Sequence, residues 1–166
     1  MLTAHEILGF MSPSLALEML EQIHQSEKAV YRAIVNSVAE VKKVRPVFLE
    51  HKPRAERNQE LLATLVKPRL EPMAVTLLQT WLLKNQTAML VQFLDELGIK
   101  NQNGAVDDLP ETVDDAKLKA AVDNLLAKFP REHVAVYLRA FNDLNDTQWP
   151  TLAEMLDKDA RLQLGA

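Results

Sequence analysis

Apolar residues recur at helical intervals from Leu15 onward: Leu15, Met19 and Ile23, then Val30, Ile34, Val38 and Val41, at spacings of three, four and seven. Ser12 can cap this run and Pro13 fits the first helical position, where its missing N–H is no loss. The pattern predicts one long helix over about 13–44. Some 30 residues of helix would extend ~45 Å. A stripe of that length needs several neighbours or a second subunit to cover it, and Met19, Ile23, Val30 and Ile34 fall at its centre as a candidate self-association surface.

Pro46 and Pro53 interrupt the next region, leaving a short piece at 47–50 and then a helix near 54–66 with Leu61, Leu62 and Leu65 inward. Pro68 and Pro72 separate it from the run MAVTLLQTWLLKN. Asn85 offers a break before QTAMLVQFLDEL, and Gly98 closes that helix because glycine accepts the left-handed conformation without steric cost. Beyond a connector, VDDAKLKAAVDNLLAKF and REHVAVYLRAFNDL follow, the second opened by Pro130. A final short helix begins near Pro150, with Thr151 and Glu154 spaced as a capping box. No segment alternates apolar and polar residues as a half-buried strand would. The predicted class is all-α, a single domain over 1–166, with helical hairpins at about 72–97 and 112–144.

The two hairpins match at a shift of 44 residues. Leu78 falls on Val122, Leu82 on Leu126, Leu90 on Val134, Phe93 on Tyr137, Leu94 on Leu138 and Leu97 on Phe141. That period lies within the ~40–47 residues of HEAT and armadillo units. Almost no identities accompany the match, and any two amphipathic hairpins of similar length match in pattern. HEAT/armadillo-like stacking and an irregular helical bundle therefore both remain open.

At 166 residues the chain is long enough to bury ~70% of the surface its unfolded form exposes, so a core needs neither disulfide nor metal. It has no cysteine, which removes thiol nucleophiles, zinc knuckles and iron–sulfur clusters, and suits a reducing compartment. Residues 1–21 show neither a basic leader nor an unbroken apolar segment, and no stretch approaches 18 apolar residues. The expected location is cytoplasmic, with no membrane association.

Net charge is −4 but uneven: residues 42–69 carry eight Lys/Arg against three Glu, and residues 95–166 carry eight against fourteen acidic groups. The basic stretch KKVRPVFLEHKPRAERNQE could follow a phosphate backbone through Lys42, Lys43, Arg45, Lys52, Arg54 and Arg57. Phe48 is its single aromatic, so base stacking has little support and nucleic acid is not the expected partner.

Three further constellations resemble sites. In GIKNQNGAVDDLPE, Gly104 fits the sixth position of an EF-hand, with Asn101, Asn103 and Asp107 at acceptable places. Ile99 then stands at the first position and Pro110 at the twelfth, so one carboxylate faces an ion that needs six to eight oxygens. A solvated connector explains every residue of the loop. Glu21 and His24 have the Glu-x-x-His spacing of a di-iron helix, without the second copy such a centre needs. His5-Glu6 lacks the second histidine of HExxH. Four glycines leave no phosphate-cradling loop, and no serine sits in a nucleophile elbow. No cofactor or metal is expected. Trp81 and Trp149 read as core anchors. The function these observations favour is a non-catalytic helical scaffold that binds a protein partner or itself as a homodimer. The alternatives are a nucleic-acid-associated protein using 42–57 and an enzyme whose site forms only in three dimensions.

Overall fold

The computed structural model describes residues 1–165. The protein is all-α: ten α-helices and two 3-10 turns, with no strand among the described residues. The chain, expected as a single domain, divides into two compact units, Thr3–Trp81 and a second formed by Met1–Leu2 with 82–165.

In the Thr3–Trp81 unit, α1 (Ala4–Phe10), α2 (Pro13–Ser26), α3 (Lys28–Lys42), α4 (Pro46–Glu50) and α5 (Arg54–Leu65) precede α6 (Glu71–Asn85), whose last residues belong to the other unit. The run predicted as one helix over 13–44 is thus two. Ser12 caps α2 as expected, its hydroxyl accepting from the Leu15 amide at 3.4 Å. The helix then stops at Glu27, which has φ −137° and ψ 67°. Just before it, Ser26 donates its hydroxyl one turn back to the Gln22 carbonyl at 2.9 Å, a back-bond that weakens helix continuation. The break has a packing reason. A straight helix would leave its stripe facing water, whereas a corner at Glu27 folds α3 back on α2, and both pack on α5. Met19, Ile23 and Ile34 are completely buried and Val30 is half-buried, so the stripe offered as a self-association surface is covered within its own chain.

Helix α3 ends with Lys43 in the left-handed region (φ 57°), and the Val44 amide reaches back to Ala39 O at 3.0 Å. This is a Schellman closure with lysine where glycine is usual. α1 is capped from far along the chain: the Glu71 carboxylate accepts from the Ala4 amide at 3.0 Å and the His5 amide at 2.8 Å. Trp81 is buried and donates its indole N–H to Gln22 Oε1 at 2.7 Å.

The second unit holds α7 (Thr87–Glu96), α8 (Asp115–Lys128), α9 (Arg131–Asp143) and α10 (Pro150–Lys158). α8 packs on α7 and α9, and α10 on α9. Asp114 caps α8 by accepting from Ala116 and Lys117 amides at 2.8 and 3.1 Å. The core centres on α9, where Phe93, Tyr137, Phe141 and Trp149 form a chain of rings with centroids 5.2–5.9 Å apart. The capping box expected of Thr151 and Glu154 does not form. Thr151 donates instead to Asp115 at 2.7 Å, and Glu154 pairs with Lys158 at 2.8 Å.

The stretches expected as hairpins hold α6 and α7 in one case and α8 and α9 in the other. Their helices begin at Glu71 and Asp115, and at Thr87 and Arg131, so the 44-residue shift aligns both pairs of helix starts. Of the six matched positions, four are buried on both sides: Leu78 with Val122, Leu90 with Val134, Phe93 with Tyr137 and Leu94 with Leu138. The correspondence is one of helix starts and burial.

Candidate functional site

The connector that resembles a calcium loop is fully occupied by its own structure. Gly98 (φ 70°) closes α7, and the Ile99 amide bonds to Leu94 O at 2.9 Å. Asn101, in the EF-hand register a ligand, donates to Asp95 at 3.0 Å and to Ile99 O at 3.1 Å, and accepts from the Gly104 amide at 3.1 Å. Asn103 and Gly104 both have positive φ, the type I′ arrangement, closed by the Gln102–Ala105 bridge. Farther on, Trp149 donates to the Pro110 carbonyl at 2.9 Å and pins the loop's end. No group of three His, Cys, Asp or Glu able to hold a metal occurs among the described residues.

Half of the basic stretch is neutralised from within. Lys42 pairs with Glu60 at 2.9 Å, Lys52 pairs with the other oxygen of Glu60, and Arg54 grips Glu21 through two nitrogens at 2.8 and 2.9 Å. Those two lysines hold the Glu60 carboxyl below its usual range, the hydrogen bond from Lys52 weighing most. Lys43 and Arg45 stay exposed, next to Val44, Val47 and Phe48, which are 37, 40 and 64% exposed. Arg57 turns away from these five and enters a cavity.

That cavity, about 220 Å³, lies between α2, α3, α5 and the end of α4 and is lined by His24, Lys28, Tyr31, Arg32, Val35, Glu50 and Arg57. Four of the seven come from one face of α3, since Lys28, Tyr31, Arg32 and Val35 follow the i, i+3, i+4, i+7 rule. Tyr31 and Val35 are buried, His24 and Arg57 half-buried, and Lys28, Arg32 and Glu50 exposed, which gives a partly apolar floor under a charged rim. Arg57 is fixed there: its Nε donates to the Tyr31 hydroxyl at 3.0 Å, one terminal nitrogen donates to the Glu50 carbonyl at 3.0 Å, and its guanidinium stands 5.5 Å from the Tyr31 ring centroid. The Tyr31 hydroxyl in turn donates to buried Asn58, which reaches Glu21 at 3.4 Å. His24 stacks edge-on against Tyr31 at 4.8 Å, and its Nδ1 is buried with no hydrogen-bond partner. Burial, then the charge of Arg54, holds this imidazole below the ordinary value of 6.5, against a smaller opposing pull from Glu21.

Sequence reasoning reached His24 only as half of a metal motif and Arg57 only as one of six basic residues. It missed Lys28, Tyr31, Arg32, Val35 and Glu50. The signal was present as a face of α3 that mixes cations with apolar side chains at helical spacing. The arrival of Glu50 and Arg57 opposite that face depends on the corner at Glu27 and the turn at Pro53, which the apolar pattern does not show.

No protein-family model, curated protein or solved structure matches the chain. No helix among the described residues is long and apolar enough to cross a membrane.

Proposed function

We propose that this protein is a non-catalytic helical interaction module, and that its Thr3–Trp81 unit docks an acidic, partly apolar segment of another protein at the corner joining α3 to α4. The observation that carries this reading is the exposure of Val44, Val47 and Phe48 within five residues, flanked by the unpaired cations Lys43 and Arg45. Single exposed apolar residues are ordinary on any surface, but three together beside a charged rim have the composition of a docking patch. Phe48 supplies the large aromatic anchor on which binding energy usually concentrates. Lys43 and Arg45 select acidic partners and speed encounter. Nucleic acid has weaker support, because three of the six expected phosphate contacts, Lys42, Lys52 and Arg54, already serve carboxylates of the same chain.

The test is selection of displayed random peptides on the intact chain. The expected winners combine Asp or Glu with aliphatic or aromatic residues, and they lose binding to a Phe48→Ser variant whose circular dichroism is unchanged. Failure to enrich any sequence, or winners that bind the variant equally well, would overturn the reading.

A further inference from the structure

We infer that the cavity lined by α3 binds a phosphate monoester carrying a compact apolar body, with the phosphate held by Lys28, Arg32 and Arg57 and the body seated on Tyr31 and Val35. This goes beyond the docking patch and does not depend on it.

Charge is the first ground. Three cations and one carboxylate, Glu50, surround the opening, a formal excess of two positive charges once His24 is neutral. A phosphate monoester carries about −1.5 to −2 at pH 7, so it matches that excess where a lone carboxylate does not. The partners of these cations are the second ground. Lys42, Lys52 and Arg54 of the same unit are ion-paired, and the cations of the unit that are not, Lys43, Arg45, Lys67 and Arg69, line no part of this cavity. Lys28, Arg32 and Arg57 have no carboxylate within ion-pair distance, although all three line one cavity.

Preorganisation is the third. Arg57 is not a freely waving surface side chain: two of its nitrogens are committed to Tyr31 and Glu50, which leaves its remaining amino group fixed at the cavity. A guanidinium held in place loses little entropy on binding a phosphate oxygen. The floor is the fourth ground. Tyr31 and Val35, 6 and 2% exposed, line the cavity with a narrow apolar edge, and a cavity of about 220 Å³ has room for a body of roughly one aromatic ring beside the phosphate.

The experiment is isothermal titration of the full chain with phenyl phosphate, inorganic phosphate and phenol, at fixed ionic strength. Phenyl phosphate is expected to saturate one site below millimolar concentration. Inorganic phosphate should bind about tenfold more weakly, or about 1.4 kcal/mol, because it leaves the floor uncovered. Phenol should give no saturable heat. The Lys28→Ala/Arg32→Ala double variant removes two exposed side chains, so its melting temperature should equal that of the wild type, and its affinity for phenyl phosphate should fall at least about tenfold. Absence of saturation by phenyl phosphate, equal affinity for the two phosphates, or wild-type affinity in the double variant would each overturn the inference. The double variant should still retain peptides selected on the Phe48 surface, so failure of one proposal is distinguishable from failure of the other.

Discussion

Glu71 and His5 lie 66 positions apart and are joined twice: the Glu71 carboxylate accepts the His5 backbone amide at 2.8 Å and lies 2.8 Å from its Nδ1. With the bond from Ala4, one side chain answers two of the amides that the first turn of α1 leaves without helical partners. The local device, Thr3 and Glu6, adds a bond from the Thr3 amide at 2.8 Å. Replacing Glu71 by Ala should lower stability by about 1–2 kcal/mol, the usual worth of a lost N-terminal cap. Denaturant unfolding measures the total, and faster amide exchange confined at first to α1 would locate the damage.

Two buried tyrosines should respond oppositely to loss of the hydroxyl. Tyr31 donates to Asn58 and accepts from Arg57, so Tyr31→Phe leaves a buried amide oxygen unpaired and should cost about 1–3 kcal/mol. The Tyr137 hydroxyl is buried without a partner, and burial pushes its pKa far up. Tyr137→Phe should therefore be neutral within about 0.5 kcal/mol or stabilising. Thermal unfolding of the two variants side by side checks the contrast.

Two positions with positive φ should also part company. A Cβ on Gly104 would meet Leu90 Cβ at 2.8 Å, and φ there is +90°, so Gly104→Ala should cost about 1–3 kcal/mol from strain and overpacking together. Lys43 already pays the left-handed penalty at the end of α3, and Lys43→Gly should gain about 0.5 kcal/mol after the greater chain entropy of glycine is counted. Chemical denaturation resolves both signs.

His24 should make stability depend on pH in the mildly acidic range. Its folded pKa lies below 6.5, so between the two values the unfolded chain holds the extra proton. Stability from this group is therefore complete above 6.5 and falls as pH drops toward the folded value. A nuclear magnetic resonance titration of the His24 ring should give a midpoint below 6.5. His24→Gln should flatten the dependence of unfolding free energy on pH through that window.

The helices were legible because their evidence is local. Ser12-Pro13, Gly98 and Pro130 mark ends that the structure keeps, and Trp81 and Trp149, expected as core anchors from the size of their rings, are buried. The corner at Glu27 was not legible. No proline or glycine marks it, and the apolar spacing runs through it unbroken, because the stripes of α2 and α3 meet after the chain folds back. The cavity was half legible: the face of α3 that lines it is written at helical spacing, while Glu50 and Arg57 arrive only through tertiary folding. The neutralisation of Lys42, Lys52 and Arg54 was hidden for the same reason, since Glu60 and Glu21 reach them from other helices.

Helices α2 to α5 pack against partners close to them in sequence. Topologies of that kind assemble in microseconds to milliseconds because little chain must be looped before a contact forms. The Glu71 cap, like the Trp81–Gln22 bond, is an exception, for it spans nearly the whole unit and rewards closure only after the helices between are in place. α1 thus behaves as a latch fastened last onto a frame that forms quickly. The same latch is the first part to spring open under stress, exposing Ile7 and Leu8 while the frame beneath stays shut.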